Sequence, residues 1–124
     1  MTKKLTLKQI QKLLAKWKKI LRLEDWDISI LMEPLHNTGI TNLKAESEIE
    51  HWIQRKEAII RIRPIEDRVA LGMTGPFDME FDIIHELLHL HFKNLTSETG
   101  DDEEIVINII SKILLTLRGN NESR

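Results

Sequence analysis

The sequence predicts a single α+β domain in which a small, mostly antiparallel sheet packs against an N-terminal helix and two C-terminal helices. Three observations carry this expectation. The chain has 124 residues, the size of one hydrophobic core. Its apolar residues recur at helical spacing towards both ends and with a period of two between them. Hydrophobic residues make up 41% and charged residues 31%, with only five Gly and three Pro, a balance that suits a packed chain and excludes a disordered or collagen-like one. No internal repeat, low-complexity tract or linker divides the chain, so 1–124 is expected to be one domain.

The first helix, within 1–23, is marked by Leu7, Ile10, Leu13, Leu14, Trp17, Ile20 and Leu21 on one side and lysines on the other. Thr6 with Gln9 has capping-box spacing, and Leu5 with Ile10 that of a hydrophobic staple. The sheet is expected within 26–63. Trp26, Ile28, Ile30 and Met32 alternate with more polar neighbours, as in a strand with one buried face. After the turn signal His36-Asn37-Thr38-Gly39, alternation returns from Leu43 to Ile53, with Glu46, Glu48 and Glu50 on one side. Gln54-Arg55-Lys56 separates this from the apolar run Ala58–Ile62, giving a hairpin whose second strand is the more buried; Pro64 ends it. Residues 65–76 read as connection with a short helical turn near Glu66–Ala70. Helical spacing resumes from about Phe77 to Phe92, with Asp78 as N-cap. A last helix runs from about Asp102 to Arg118, with Asp101 and Glu104 at capping-box spacing and Gly119 as its stop. Its body, Ile105 to Leu117, is almost wholly apolar and is expected to be buried.

Composition also bounds function. With no cysteine there is no disulfide framework, thiolate zinc site, iron–sulfur cluster or cysteine nucleophile, so any metal must use His, Asp or Glu. The lysine-rich start has no signal-peptide core, and no apolar run approaches the roughly 18 residues that a bilayer crossing needs, so a cytoplasmic protein without a membrane partner is expected. The net charge of −2 conceals an asymmetry: residues 1–23 carry +8 and the remainder −10. A basic helix can contact nucleic acid, but no arginine-rich or aromatic-interleaved pattern accompanies these lysines, and a solvated face is preferred.

The residues that carry chemistry are His85-Glu86-Leu87-Leu88-His89, an H-E-x-x-H sequence inside the expected third helical region. Two histidines four residues apart lie about 40° apart around a helix and one turn along it, so both imidazoles can reach one ion. Glu86, offset by about 100° from His85, can contact a water at that ion without occupying a ligand position, and can take its proton and pass it to a leaving amine. The bland alternative, a surface helix with two incidental histidines, is disfavoured by the apolar Leu87 and Leu88 beside them.

A catalytic zinc site usually has three protein ligands. His91 points to another side of the same helix and reads as surface or supporting. In the last helix Glu104, Asn108 and Ser111 form one polar stripe, which offers Glu104 as third ligand, unless it serves only as a first-turn cap, and Asn108 as a hydrogen-bonding partner. Glu103 falls on the side of Ile107 and Ile110 and reads as an exposed first-turn residue, so Glu104 is preferred. Trp17, Trp26 and Trp52 read as packing residues, and His36 and His51 as surface residues, with His51 the first choice for an auxiliary role.

His85-Glu86-Leu87-Leu88-His89 followed by Glu104 in a second helix resembles the gluzincin branch of zinc metallopeptidases. The likeness is to its smallest single-domain members from bacteria, archaea and phages, distantly similar to the metallopeptidases grouped near ImmA/IrrE. It spans roughly Trp26 to Leu117, although only the five-residue motif is specific. The resemblance implies a zincin-like fold, Zn2+ held by His85, His89 and Glu104, Glu86 as general base and acid, and a peptide or protein substrate. It also implies strand addition of that substrate along the 43–63 hairpin. The chain has no tyrosine, so His36, His51 or an arginine would have to stabilise the oxyanion. The alternative function is a zinc-binding module without turnover, regulatory in role, that meets DNA or a protein partner through the basic first helix. Glu86 argues for chemistry, since a purely structural site has no use for a carboxylate there.

Overall fold

The computed structural model describes residues 5–34, 45–95 and 101–122, with side chains described for 5–34, 45–92 and 103–117. Its elements are α1 (Leu7–Ile20), β1 (Asp27–Met32), β2 (Ser47–Trp52), β3 (Glu57–Ile62), α2 (Ile65–Ala70), α3 (Met79–Leu95) and α4 (Asp101–Glu122). This is the expected mixed α+β order. The turn expected at His36–Gly39, the start of the strand expected from Leu43 and the stretch 96–100 lie outside the described residues.

α1 begins as expected: Thr6 and Gln9 complete a reciprocal capping box, and Ile10, Leu14 and Trp17 form its buried stripe. β1 buries Ile28 and Ile30 on one face and exposes Asp27, Ser29 and Leu31 on the other. β2 and β3 form the expected hairpin, closed by the single turn Ile53–Arg55 and by Lys56 in the left-handed conformation (φ 50°).

The sheet departs from expectation in one respect. Its order is β1-β3-β2, with β3 antiparallel to β2 but parallel to β1, so it is mixed and not mostly antiparallel. The reason lies in β3, whose Ala58, Ile60 and Ile62 are buried. Of the two hairpin strands β3 is the more apolar, with four apolar residues of six against Ile49 and Trp52 in β2, so β1 adds beside β3 and the acidic β2 stays at the edge.

α3 is the spine of the molecule. Asp78 Oδ1 accepts from the backbone N–H groups of Glu80 (3.0 Å) and Phe81 (3.2 Å), capping its start as expected. Ile83, Ile84 and Leu87 are fully buried between the sheet and the neighbouring helices. The Trp17 indole N–H donates to Glu80 Oε2 (2.6 Å), and the His91 Nε2–H donates to the Leu21 carbonyl (2.6 Å), so both ends of α3 are tied to α1. His91 is thereby a strut between helices.

α4 packs on α3 and departs twice from expectation. It runs past Gly119 to Glu122, because a helical glycine costs only about 1 kcal/mol and does not by itself end a helix. Its body is also not buried throughout: Ile107 is, while Ile105, Val106, Ile109, Ile113 and Leu117 are 41–55% exposed. With one neighbouring helix on one side, a helix that is apolar all round can bury only that side.

Candidate metal centre

α3 projects His85, Glu86 and His89 into a cleft of about 690 Å³ between β2 and α4, to which α4 contributes Glu104, Asn108 and Lys112. The two imidazole Nε2 atoms lie 3.3 Å apart, and the Glu104 carboxylate reaches both, Oε1 to His89 Nε2 at 2.9 Å and Oε2 to His85 Nε2 at 3.1 Å. A tetrahedral ion with bonds of about 2.0–2.1 Å holds its donors about 3.3–3.4 Å apart, so this triangle of two nitrogens and a carboxylate is of the size a zinc-like dication requires. His85, His89 and Glu104 thus form a group that could hold a metal ion.

Glu103 corrects the expectation of an exposed residue. Its carboxylate is 8% exposed and accepts from His89 Nδ1–H at 2.8 Å. This bond fixes the tautomer that turns the Nε2 lone pair of His89 towards Glu104 and His85. Sequence spacing placed Glu103 beside Ile107, which is correct, but that side is the buried one. Replacing Glu103 by Gln is expected to weaken metal binding by roughly 10–100-fold, and Glu104→Ala to weaken it further; competition against a chelator measures both.

His85 lies one turn earlier, its ring tilted against Phe81 at 5.9 Å. Burial holds its pKa below the usual imidazole value, against the raising influence of Glu104, so it stays neutral and able to ligate to a lower pH. Asn108 lines the cleft beside it, but His85 Nδ1 is buried without a hydrogen-bond partner among the described residues, so the supporting bond expected of Asn108 is not formed at that atom. Ser111 does not share that role: it is fully buried and its hydroxyl bonds back to the Ile107 carbonyl at 2.7 Å. The cleft-facing row of α4 is Glu104, Asn108 and Lys112, a strict i, i+4, i+8 set.

Glu86 is 4% exposed and accepts from the Ser47 hydroxyl at 2.5 Å. Burial pushes its carboxyl up to about 8, opposed by the Ser47 bond and reinforced by the nearby negative charges of Asp82 and Glu104. Ser47 went unnoticed in the sequence, although a hydroxyl in register with Ile49 on the inner face of β2 was its signal.

A buried ionic network supports the site from below. Arg68 of α2 is fully buried and donates from Nη2 to Asp82 Oδ2 (2.6 Å), from Nε to the Arg63 carbonyl (2.8 Å) and from Nη1 to Glu46 (3.4 Å). Arg63 in turn donates to the Ala45 carbonyl at 3.0 Å. The segment entering β2 is therefore tied to the turn of α3 that precedes His85, and Ser47 is delivered to Glu86.

Of the remaining candidates, His51 does line the cleft, His36 lies outside the described residues, and no arginine lines the cleft among the described residues. Trp17 and Trp26 are core, while Trp52 is half-buried under Arg55. Among the described residues no helix is long and apolar enough to cross a membrane. Compared with models of known families, with curated proteins and with solved structures, the chain finds no match.

Proposed function

We propose that this chain is a zinc-dependent peptidase of gluzincin type, hydrolysing peptide bonds with Glu86 as general base. The observation that carries the proposal is the buried carboxylate of Glu86 beside a compact two-histidine, one-carboxylate triangle at the floor of a cleft. Two imidazoles and a carboxylate also suit iron or manganese. Zinc is preferred because a base next to the ligands serves hydrolysis.

A bound dication would supply Lewis-acid polarisation of a water and of the scissile carbonyl. Ser47 holds Glu86 Oε2, which leaves Oε1 to accept a proton from the attacking water and return it to the leaving amine. Glu103 keeps His89 in its ligating tautomer. β2 is an edge strand that lines the cleft with Ser47, Glu48, Ile49 and His51, a placement that favours an extended peptide added beside it as a further strand. His51, on the same strand, is the candidate for the oxyanion.

Elemental analysis of purified wild type is expected to give about one zinc per chain, lost in His89→Ala and Glu104→Ala. Glu86→Gln is expected to keep the metal while hydrolysis of a peptide library falls roughly 10³-fold. Turnover undiminished in that variant would sink the mechanism. Zinc bound by a wild type that cleaves nothing in the library would instead favour a binding module. Salt dependence of DNA binding would then test whether α1 is its contact surface.

A further inference from the structure

We propose that the outward face of α4 is the contact surface of a two-fold symmetric dimer of this chain. Ile105, Ile109, Ile113 and Leu117 stand four residues apart with Val106 alongside, and all five are between 41% and 55% exposed. Half-exposed, five such side chains present on the order of 500 Å² of aliphatic surface, at the upper end of what a monomer leaves contiguous. Paired across a two-fold axis they would remove on the order of 1,000 Å² from water, the area at which specific association begins.

The arrangement of the stripe favours a second copy as its occupant. Residues spaced by four form the i±4n ridge of a helix, and two such ridges interdigitate at a crossing of about −50°. The ridge of one copy fits the groove beside the same ridge in the other, so the surface is its own complement, as an isologous contact requires. Charge argues against a lipid surface. α4 carries five acids, Asp101, Asp102, Glu103, Glu104 and Glu122, against Lys112 and Arg118, whereas a helix lying on an anionic membrane carries Lys and Arg along its polar face, and here the lysines stand on α1. Peptide in the cleft would use another row of α4, that of Glu104, Asn108 and Lys112. The dimer stands independently of the metal and of turnover.

Light scattering on the full chain at tens of micromolar is expected to give the mass of two chains, against 14.5 kDa for one. Ile109→Glu combined with Ile113→Glu brings four carboxylates to the contact and is expected to weaken the dimer by roughly 100-fold or more, to the mass of a single chain. Leu117→Lys alone moves the equilibrium the same way by less, and Lys8→Glu on α1 leaves the dimer intact. Because the substituted side chains are half exposed, unchanged circular dichroism is expected to show that the variants fold. A wild type with the mass of one chain at that concentration overturns the proposal, including one that binds anionic vesicles instead. A double variant that remains dimeric overturns it equally.

Discussion

Asp82→Ala is expected to destabilise the protein by about 3–5 kcal/mol, a large share of the roughly 5–15 kcal/mol that holds a domain of this size together. Asp82 and Arg68 are both buried, and the guanidinium keeps its charge at any ordinary pH. Burial pushes the Asp82 carboxyl up to about 6 even though Arg68 pulls it down, so its desolvation outweighs the attraction of its partner. The pair therefore adds little net stability as a pair. Removing the carboxylate alone is another matter, because among the described residues it leaves a buried cation with the Arg63 carbonyl, the half-exposed Glu46 and the face of Phe77 as its partners. Urea unfolding distinguishes the two statements. Asp82→Ala should show the full loss, whereas Asp82→Ala with Arg68→Met should recover much of it, since an apolar pair of similar volume replaces an ionic one at small cost. If the double variant is no more stable than the single one, Arg68 is not the reason for the loss.

This network also shows where sequence reasoning stopped. The metal triangle was legible because its determinants are local: the histidines share one helix at fixed spacing, and Glu104 heads a polar row in an otherwise apolar helix. Asp82 and Arg68 are 14 residues apart and Ser47 and Glu86 are 39 apart, in different elements, and no periodicity connects them. Glu103 was placed at the right angle around its helix, but angle alone does not say which side meets α3. The same ambiguity governs α4. Its apolar residues surround the helix, so the pattern fixes no buried face, and only packing on α3 separates Ile107 from Ile105 and Ile109. β1 was recognised as a strand from its alternation, whereas its parallel pairing with β3 depends on which strand takes the centre of the sheet. That choice compares the apolar content of the two hairpin strands and lies beyond the pattern within either of them.

Glu86→Gln is expected to stabilise the metal-free protein at alkaline pH by an amount of the order of a few kcal/mol, the opposite of its effect on hydrolysis. In the folded chain the carboxyl is held up to about 8, whereas in the unfolded chain it ionises near its ordinary 4.5. Between those values the folded state binds the extra proton, so stability is highest below about 4.5 and falls as pH rises, levelling off only above about 8. Glutamine carries no proton to lose, and its carbonyl can still accept from Ser47. The variant therefore lacks this slope, while the titration of Asp82 is common to both proteins and largely cancels in their difference. Thermal unfolding in the presence of a chelator, followed from pH 5 to pH 9, should show the two proteins close together at the acid end and diverging as pH increases. Parallel curves would mean that Glu86 is already ionised in the folded apo-protein. With the site loaded, the nearby positive charge favours the carboxylate and the gap should narrow. A residue that costs stability when metal is absent and is relieved when metal binds is what a buried general base beside a dication should be, so the pH dependence tests the assignment of Glu86 without any substrate.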